Sequence, residues 1–84
     1  MSENQPTITA AAIRLSDGQI ICGKKHEDCR RALIVAGQTD INRTEGFVTS
    51  AGDFVDRFQA APIAFKAGQI KELYGPLYST DLNL

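Results

Sequence analysis

The chain has no tryptophan, one methionine, one histidine, two cysteines and three prolines among its 84 residues. Two cysteines are too few for a disulfide-built scaffold and suit reduced thiols in an intracellular protein. Charge of one sign is missing too: 9 Lys plus Arg stand against 10 Asp plus Glu. That balance argues against a protein that wraps duplex nucleic acid by neutralising phosphates, so any anion site has to be local. The longest apolar run, Ala32 to Ala36, falls far short of the roughly 20 residues of a membrane-spanning helix. Met1 to Pro6 are polar and acidic, without the basic and apolar regions of a secretory signal. The expected location is therefore cytoplasmic, with residues 1–9 a flexible leader and residues 10–84 one small domain. What is present is ordinary for a folded chain, 43% hydrophobic and 23% charged. So short a domain buries only about 60 to 65% of its unfolded surface, which makes a homo-oligomer the expected assembly.

Ile13 and Leu15 alternate with Arg14 and Ser16, Asp17-Gly18 reads as a two-residue turn, and Gln19 to Cys22 resumes an extended run, the pattern of a β-hairpin. His26 to Ala36 carries acids early, good helix formers after them, and Gly37 as a stop. The second half of that helix is apolar nearly all round, so more than one of its faces is expected to be covered. A polar loop from Gln38 to Gly46 follows. A second hairpin, Gly46 to Ser50 and Asp53 to Val55 around Ala51-Gly52, leads to a second helical run, Phe58 to Ala67, closed by Gly68. Ser16-Asp17-Gly18-Gln19-Ile20-Ile21 matches Ser50-Ala51-Gly52-Asp53-Phe54-Val55, and Ala36-Gly37-Gln38 matches Ala67-Gly68-Gln69. The fold expected is α+β: a duplicated ββα unit giving a four-stranded antiparallel sheet with two helices on one face. Phe58, Ala61 and Phe65 have the spacing of a buried stripe, and Phe47, Phe54, Phe58 and Phe65 are all assigned to the core. Pro62 implies a late start or a kink in the second helix. The tail from Gly75 to Leu82 reads as extended and docked.

Cys22, His26, Asp28 and Cys29 lie close in sequence but lack metal-ligand spacing, so no metal or other cofactor is expected and both cysteines read as small packed hydrophobes. A Cys29–His26 or Cys22–His26 nucleophile pair has no evident orienting group or oxyanion motif, and the chain is read as a non-enzyme. Walker loops, GxGxxG turns and nucleophile elbows are absent. Cations cluster where each hairpin passes into its helix: Lys24, Lys25 and His26 before the first, Arg57 before the second. A helix N-terminus with such a side chain suits phosphate or carboxylate. Thr49, Ser50, Tyr78, Ser79 and Thr80 supply hydroxyls, and Tyr74 or Tyr78 a stacking ring. Against this stands pairing of Arg57 with Asp56, Asp53 or Glu27, and of Arg30 and Arg31 with Glu27 and Asp28.

Gly46 to Arg57, then Ala64 to Ile70, then Leu77-Tyr78-Ser79-Thr80-Asp81-Leu82 resemble a family of small, mostly uncharacterised phage and prophage proteins. The family pattern also opens with an Ala-Ala-Ile-like strand and a Gly-x-x-His element, here Gly23-Lys24-Lys25-His26, so the likeness runs from Ala11 to Leu82. Two departures stand out: Thr80 where related tails carry an acid, and Pro62 where a plain helix former belongs. The resemblance implies action against host defence, by sequestering a phosphate-bearing small molecule such as a cyclic nucleotide immune signal or, alternatively, by blocking a host defence protein. For such a signal Lys24, Lys25, His26 and Arg57 face phosphates, a tyrosine stacks on a base, and Ser79, Thr80 or Asp81 meets ribose hydroxyls. A small Cys/His hydrolase is a third option.

Overall fold

The computed structural model describes residues 5–38, 42–73 and 75–82. Among them, four strands and two helices form the expected α+β fold: β1 (Ile8–Arg14), β2 (Ile20–Gly23), α1 (His26–Val35), β3 (Thr44–Thr49), β4 (Phe54–Asp56) and α2 (Arg57–Lys66), with a 3₁₀ turn over Ser79–Asp81. The sheet is antiparallel, in the order β2-β1-β3-β4. β1 begins at Ile8, inside the stretch read as leader, because Ile8 is buried and its N–H and C=O are both held at 2.8 Å by the Gln69 side-chain amide. Residues 1–4 of that leader lie outside the described residues. A bulge at Thr9, between the pairs Ile8↔Thr49 and Ala10↔Val48, shifts the alternation so that Ile8 shares the inner face with Ala11, Ile13 and Leu15.

Both hairpins close differently from the two-residue turns expected. Leu15 N–H donates to Gln19 and Gly18 N–H to Leu15; Thr49 N–H donates to Asp53 and Gly52 N–H to Thr49. Each loop thus holds three residues, ending on a glycine at φ +93 or +89. A two-residue type I′ turn needs positive φ at both central positions, and no described non-glycine residue has it. The loop after α1 is shorter than expected, since β3 starts at Thr44; residues 39–41 of it lie outside the described residues.

α1 and α2 each run ten residues and end alike: Gln38 N–H reaches Leu33 C=O, and Gln69 N–H reaches Ala64 C=O, around Gly37 and Gly68 in positive φ. α1 buries His26, Cys29 and Leu33, while Ile34 and Val35 stay exposed at 77% and 83%, so the wider coverage expected of its apolar end is not met among the described residues. α2 corrects the stripe read from sequence. Ala60, Ala61 and Ala64 face the core, whereas Phe58 is 69% and Phe65 42% exposed. Alanines let the helix backbone lie close to the sheet, where a phenylalanine would hold it off. Of the four phenylalanines only Phe47 is fully buried; Phe54 is half-buried on the opposite face, with the Arg14 guanidinium 4.8 Å from its ring centre. Cys22 is exposed on β2, against the reading of it as packed, whereas Cys29 sits in the core.

α2 starts at Arg57, one residue early, and runs through Pro62 without a late start. Asp56 caps it: its carboxylate accepts from Gln59 N–H at 2.7 Å, and Gln59 Oε1 accepts from Asp56 N–H at 3.1 Å. Pro62 is exposed, so water can take the Phe58 carbonyl that the missing N–H leaves without its helical partner.

The duplication is geometrical as well as sequential. Ala12 pairs with Gly46, its own counterpart, and the pairs Ala11↔Phe47 and Ile13↔Glu45 interchange under the same matching. A pseudo-two-fold axis therefore passes through the sheet between Ala12 and Gly46. Counting back from the matched glycine caps makes His26 and Arg57 counterparts, each the first residue of its helix. Both helices begin near that axis and run outward in opposite senses over one face. The tail docks across their starting ends as a 3₁₀ turn rather than an extended strand, burying Leu77, Ser79 and Leu82.

Candidate functional site

Where the helix starts meet the tail there is an open cleft of about 350 Å³, lined by Lys25, His26, Glu27, Arg30, Arg57, Tyr78, Ser79 and Thr80. Six of the ten residues singled out from sequence thus come together. Lys25, the residue before α1, sends its ammonium to Ser79 C=O at 2.9 Å and Leu82 C=O at 2.8 Å. Arg57 donates through Nη1 to Leu77 C=O at 3.1 Å and through Nη2 to Glu45 Oε1 at 2.5 Å, with Tyr78 stacked 4.9 Å from its guanidinium carbon. Ser79 Oγ accepts from His26 N–H at 3.2 Å, taking one of the amides a helix start leaves over. Tyr78 is 51% exposed and Thr80 exposed, so both present hydroxyls to solvent.

The other four stand apart. Lys24 is exposed beside the cleft but does not line it. Asp81 turns its carboxylate to Tyr78 N–H at 3.0 Å, closing the 3₁₀ turn. Thr49 and Ser50 belong to the β3–β4 turn: Thr49 Oγ1 accepts from Ala51 N–H at 3.2 Å and Asp53 N–H at 3.3 Å, and Ser50 Oγ accepts from Thr7 N–H at 3.0 Å. Their hydroxyls close a hairpin and tie down the chain entering β1. Tyr74 lies outside the described residues.

Sequence reasoning missed Glu45 and Arg30. Glu45, opposite Ile13 and two residues before Phe47, points to the inner face, where it binds both Arg57 and Arg30, the latter at 3.2 Å. Its partnership with Arg57 replaces the pairing expected with Asp56, Asp53 or Glu27. Arg31 alone keeps the expected helical pairing, with Glu27 at 3.4 Å and Asp28 at 3.6 Å. The available signal was the alternation itself: a carboxylate at an inward strand position calls for a cation. Burial by itself would raise Glu45, but the Arg57 hydrogen bond and the charges of Arg30 and Arg57 outweigh it and hold the carboxyl below its ordinary range.

His26 is 2% exposed and meets Phe47 edge-on at 4.9 Å. Its Nε2 lies 2.7 Å from Gly46 C=O. A carbonyl only accepts, so Nε2 carries the proton and Nδ1 is the bare nitrogen, buried without a partner among the described residues. Burial first, and the Arg57 and Arg30 charges with it, depress the imidazole pKa, despite the opposing pull of Gly46 and Glu45. Burial pushes the Cys29 thiol upward, and Sγ donates to Ala11 C=O at 3.7 Å, conditions that keep it a protonated packing group.

Lys25, Arg30 and Arg57 face Glu27 and Glu45, leaving the cleft one positive charge in excess on a chain whose net charge is -1. Two helix starts add their partial positive charge at the same place. A larger groove of about 410 Å³ lies on the other side of the tail, and its charged lining of Lys71, Glu72 and Asp81 makes it unfavourable for an anion. Among the described residues no group of three or more His, Cys, Asp or Glu side chains is placed to hold a metal ion, and no helix is long and apolar enough to cross a membrane.

A model of the protein family described as phage T4 y16D protein matches residues 7–83. No curated protein and no solved structure matches.

Proposed function

The chain belongs to the phage T4 y16D protein family, and from that premise we propose that it is a non-catalytic phage binding protein whose cleft sequesters a phosphate-bearing small molecule, a cyclic nucleotide immune signal of the host being the class that fits counter-defence. The observation that carries this reading is the convergence of both helix starts on one cleft that also holds Lys25, Arg30 and Arg57. Phosphate oxygens are stronger acceptors for these cations than the tail carbonyls now on Lys25 and Arg57. At about 350 Å³ the cleft is at the small end of the usual range for ligand pockets. Tyr78 offers a ring face for a base, and Thr80 a hydroxyl at the rim. Commitment of His26 to Gly46 favours holding over turnover, since the imidazole is engaged away from solvent.

Native mass spectrometry with a panel of linear and cyclic nucleotides tests this. The expected result is an adduct of intact nucleotide mass, weakened about tenfold or more by Arg30→Gln, whose side chain is 41% exposed and can be altered without opening the core. Absence of any adduct at millimolar nucleotide, or release of cleaved nucleotide, overturns it. Blocking of a host defence protein is the second reading, favoured by the exposed Ile34 and Val35 at the end of α1. A host protein retained by the wild type and lost with Ile34→Asp supports that alternative.

A further inference from the structure

His26 is the first residue of α1, and with Ser79 it makes the buried part of the cleft lining, at 2% and 6% exposed. Its Nε2–H donates to Gly46 C=O, while Nδ1 is buried with no partner among the described residues. A lone pair left unmet in the interior needs a reason. The charged and titratable groups around the ring are Lys25, Glu27 and Arg30 at the start of α1, Glu45 on β3, Arg57 on α2 and Tyr78 on the tail. Lys25, Arg30 and Arg57 offer donors to a phosphate oxygen. The neutral ring offers it only a second acceptor at Nδ1, whereas a ring protonated there donates to it.

We infer that His26 is a proton-gated contact of the cleft: the ring keeps Nε2–H on Gly46 C=O, takes a proton from solvent on Nδ1 as the ligand enters, and donates it in a hydrogen bond to an anion oxygen. The inference rests on the anion binding proposed above and adds one proton to it, with no bond of the ligand broken. The arrangement allows this without rearrangement, because protonation at Nδ1 leaves the Gly46 hydrogen bond in place. Its direction follows from the surrounding charges. In the empty cleft, burial first, and Arg57 and Arg30 with it, hold the imidazole below its ordinary value of 6.5. An anion on those guanidiniums offsets their charge and places a negative one beside the ring, so the imidazole pKa rises on binding. Binding then takes up a proton, and affinity grows as pH falls through the free and bound values. An imidazolium held at both nitrogens has no lone pair for base catalysis, in keeping with holding rather than turnover.

Inorganic sulfate and cyclic adenosine monophosphate are the probes, because neither changes its own charge between about pH 5 and about pH 8. His26 is the one histidine of the chain, so imidazole ¹⁵N and Cε1–H resonances of the whole protein report a single ring. With either anion at saturation the His26 pKa is expected to rise by at least about one unit, and Nδ1 to take the shift of a protonated nitrogen in the complex. Calorimetry is expected to find binding at least about threefold tighter at about pH 5 than at about pH 8. His26→Gln, which keeps an N–H donor but takes up no proton, should bind with the same affinity at both. If that variant does not fold, the wild-type resonances decide. Binding that leaves the His26 pKa unmoved, an unprotonated Nδ1 in the complex, or a pH dependence retained by His26→Gln overturns this inference alone. Failure of both anions to bind at millimolar concentration at either pH overturns the anion site itself, and this inference with it.

Discussion

Glu45 is the residue on which the candidate site turns. Its side chain is 23% exposed, and it binds Arg57, itself 20% exposed, and Arg30. Replacing Glu45 with Gln leaves the Arg57 guanidinium partly desolvated with only a neutral partner, at an expected loss of about 1–3 kcal/mol in urea unfolding at pH 7, part of the bridge's full worth being screened by solvent. His26 and Glu45 also make stability depend on pH. Both are held below their ordinary values of 6.5 and 4.5, so just below those values the unfolded chain binds more protons than the folded one. Their contributions are complete above about pH 6.5 and pH 4.5 respectively, and each is lost as pH falls through the lowered folded-state value. Urea midpoints from about pH 8 down to about pH 2 are expected to fall in two stages. His26→Gln should flatten the first and Glu45→Gln the second.

Among the elements, α2 is the one whose sequence most misleads. Helical spacing correctly grouped Phe58 with Phe65, but spacing alone does not say which side of the helix meets the sheet. The small volume of Ala60, Ala61 and Ala64 decided that, by admitting the close approach that burial requires. Pro62 interrupts the same helix on an exposed side, so its penalty is softened by water. Pro62→Ala restores an N–H for the Phe58 carbonyl but gives the unfolded chain more freedom. The net gain expected from thermal or urea unfolding of the monomer is about 1–2 kcal/mol. The hairpins teach a related lesson. Glycine at matched places marked both turns, yet the loops hold three residues because Asp17 and Ala51 keep ordinary negative φ.

At the scale of the molecule, the tail joins the two halves. Leu77 and Leu82 are buried, and the carbonyls of Leu77, Ser79 and Leu82 engage Arg57 and Lys25, which belong to different repeats. Ending the chain after Pro76 removes two buried leucines worth about 1.5–3 kcal/mol each, and uncovers the two helix starts as well. For a domain of this size that predicts a fall in Tm of more than about 12 °C by calorimetry. The same truncation removes Tyr78, Ser79 and Thr80 from the cleft lining, so nucleotide affinity per folded molecule is expected to fall.

By itself the sequence determined the order of elements, the duplicated ββα unit, the helix stops at Gly37 and Gly68, and the presence of cations at both helix starts. These are local matters, set by alternation, turn glycines and capping residues over a few positions. It pointed to Lys25, His26 and Arg57, and equally to Thr49 and Ser50, because a hydroxyl near a turn looks the same whether it faces a ligand or closes a hairpin. Only the tertiary structure decided that Lys25, His26, Arg30 and Arg57 share one cleft, that Glu45 and the tail carbonyls engage its cations, and that Phe58 and Phe65 remain outside. Those outcomes depend on the register of β1 against β3 and on the pseudo-two-fold axis at Ala12 and Gly46. Pairings between residues far apart in the chain follow from how whole elements pack, which no local pattern records.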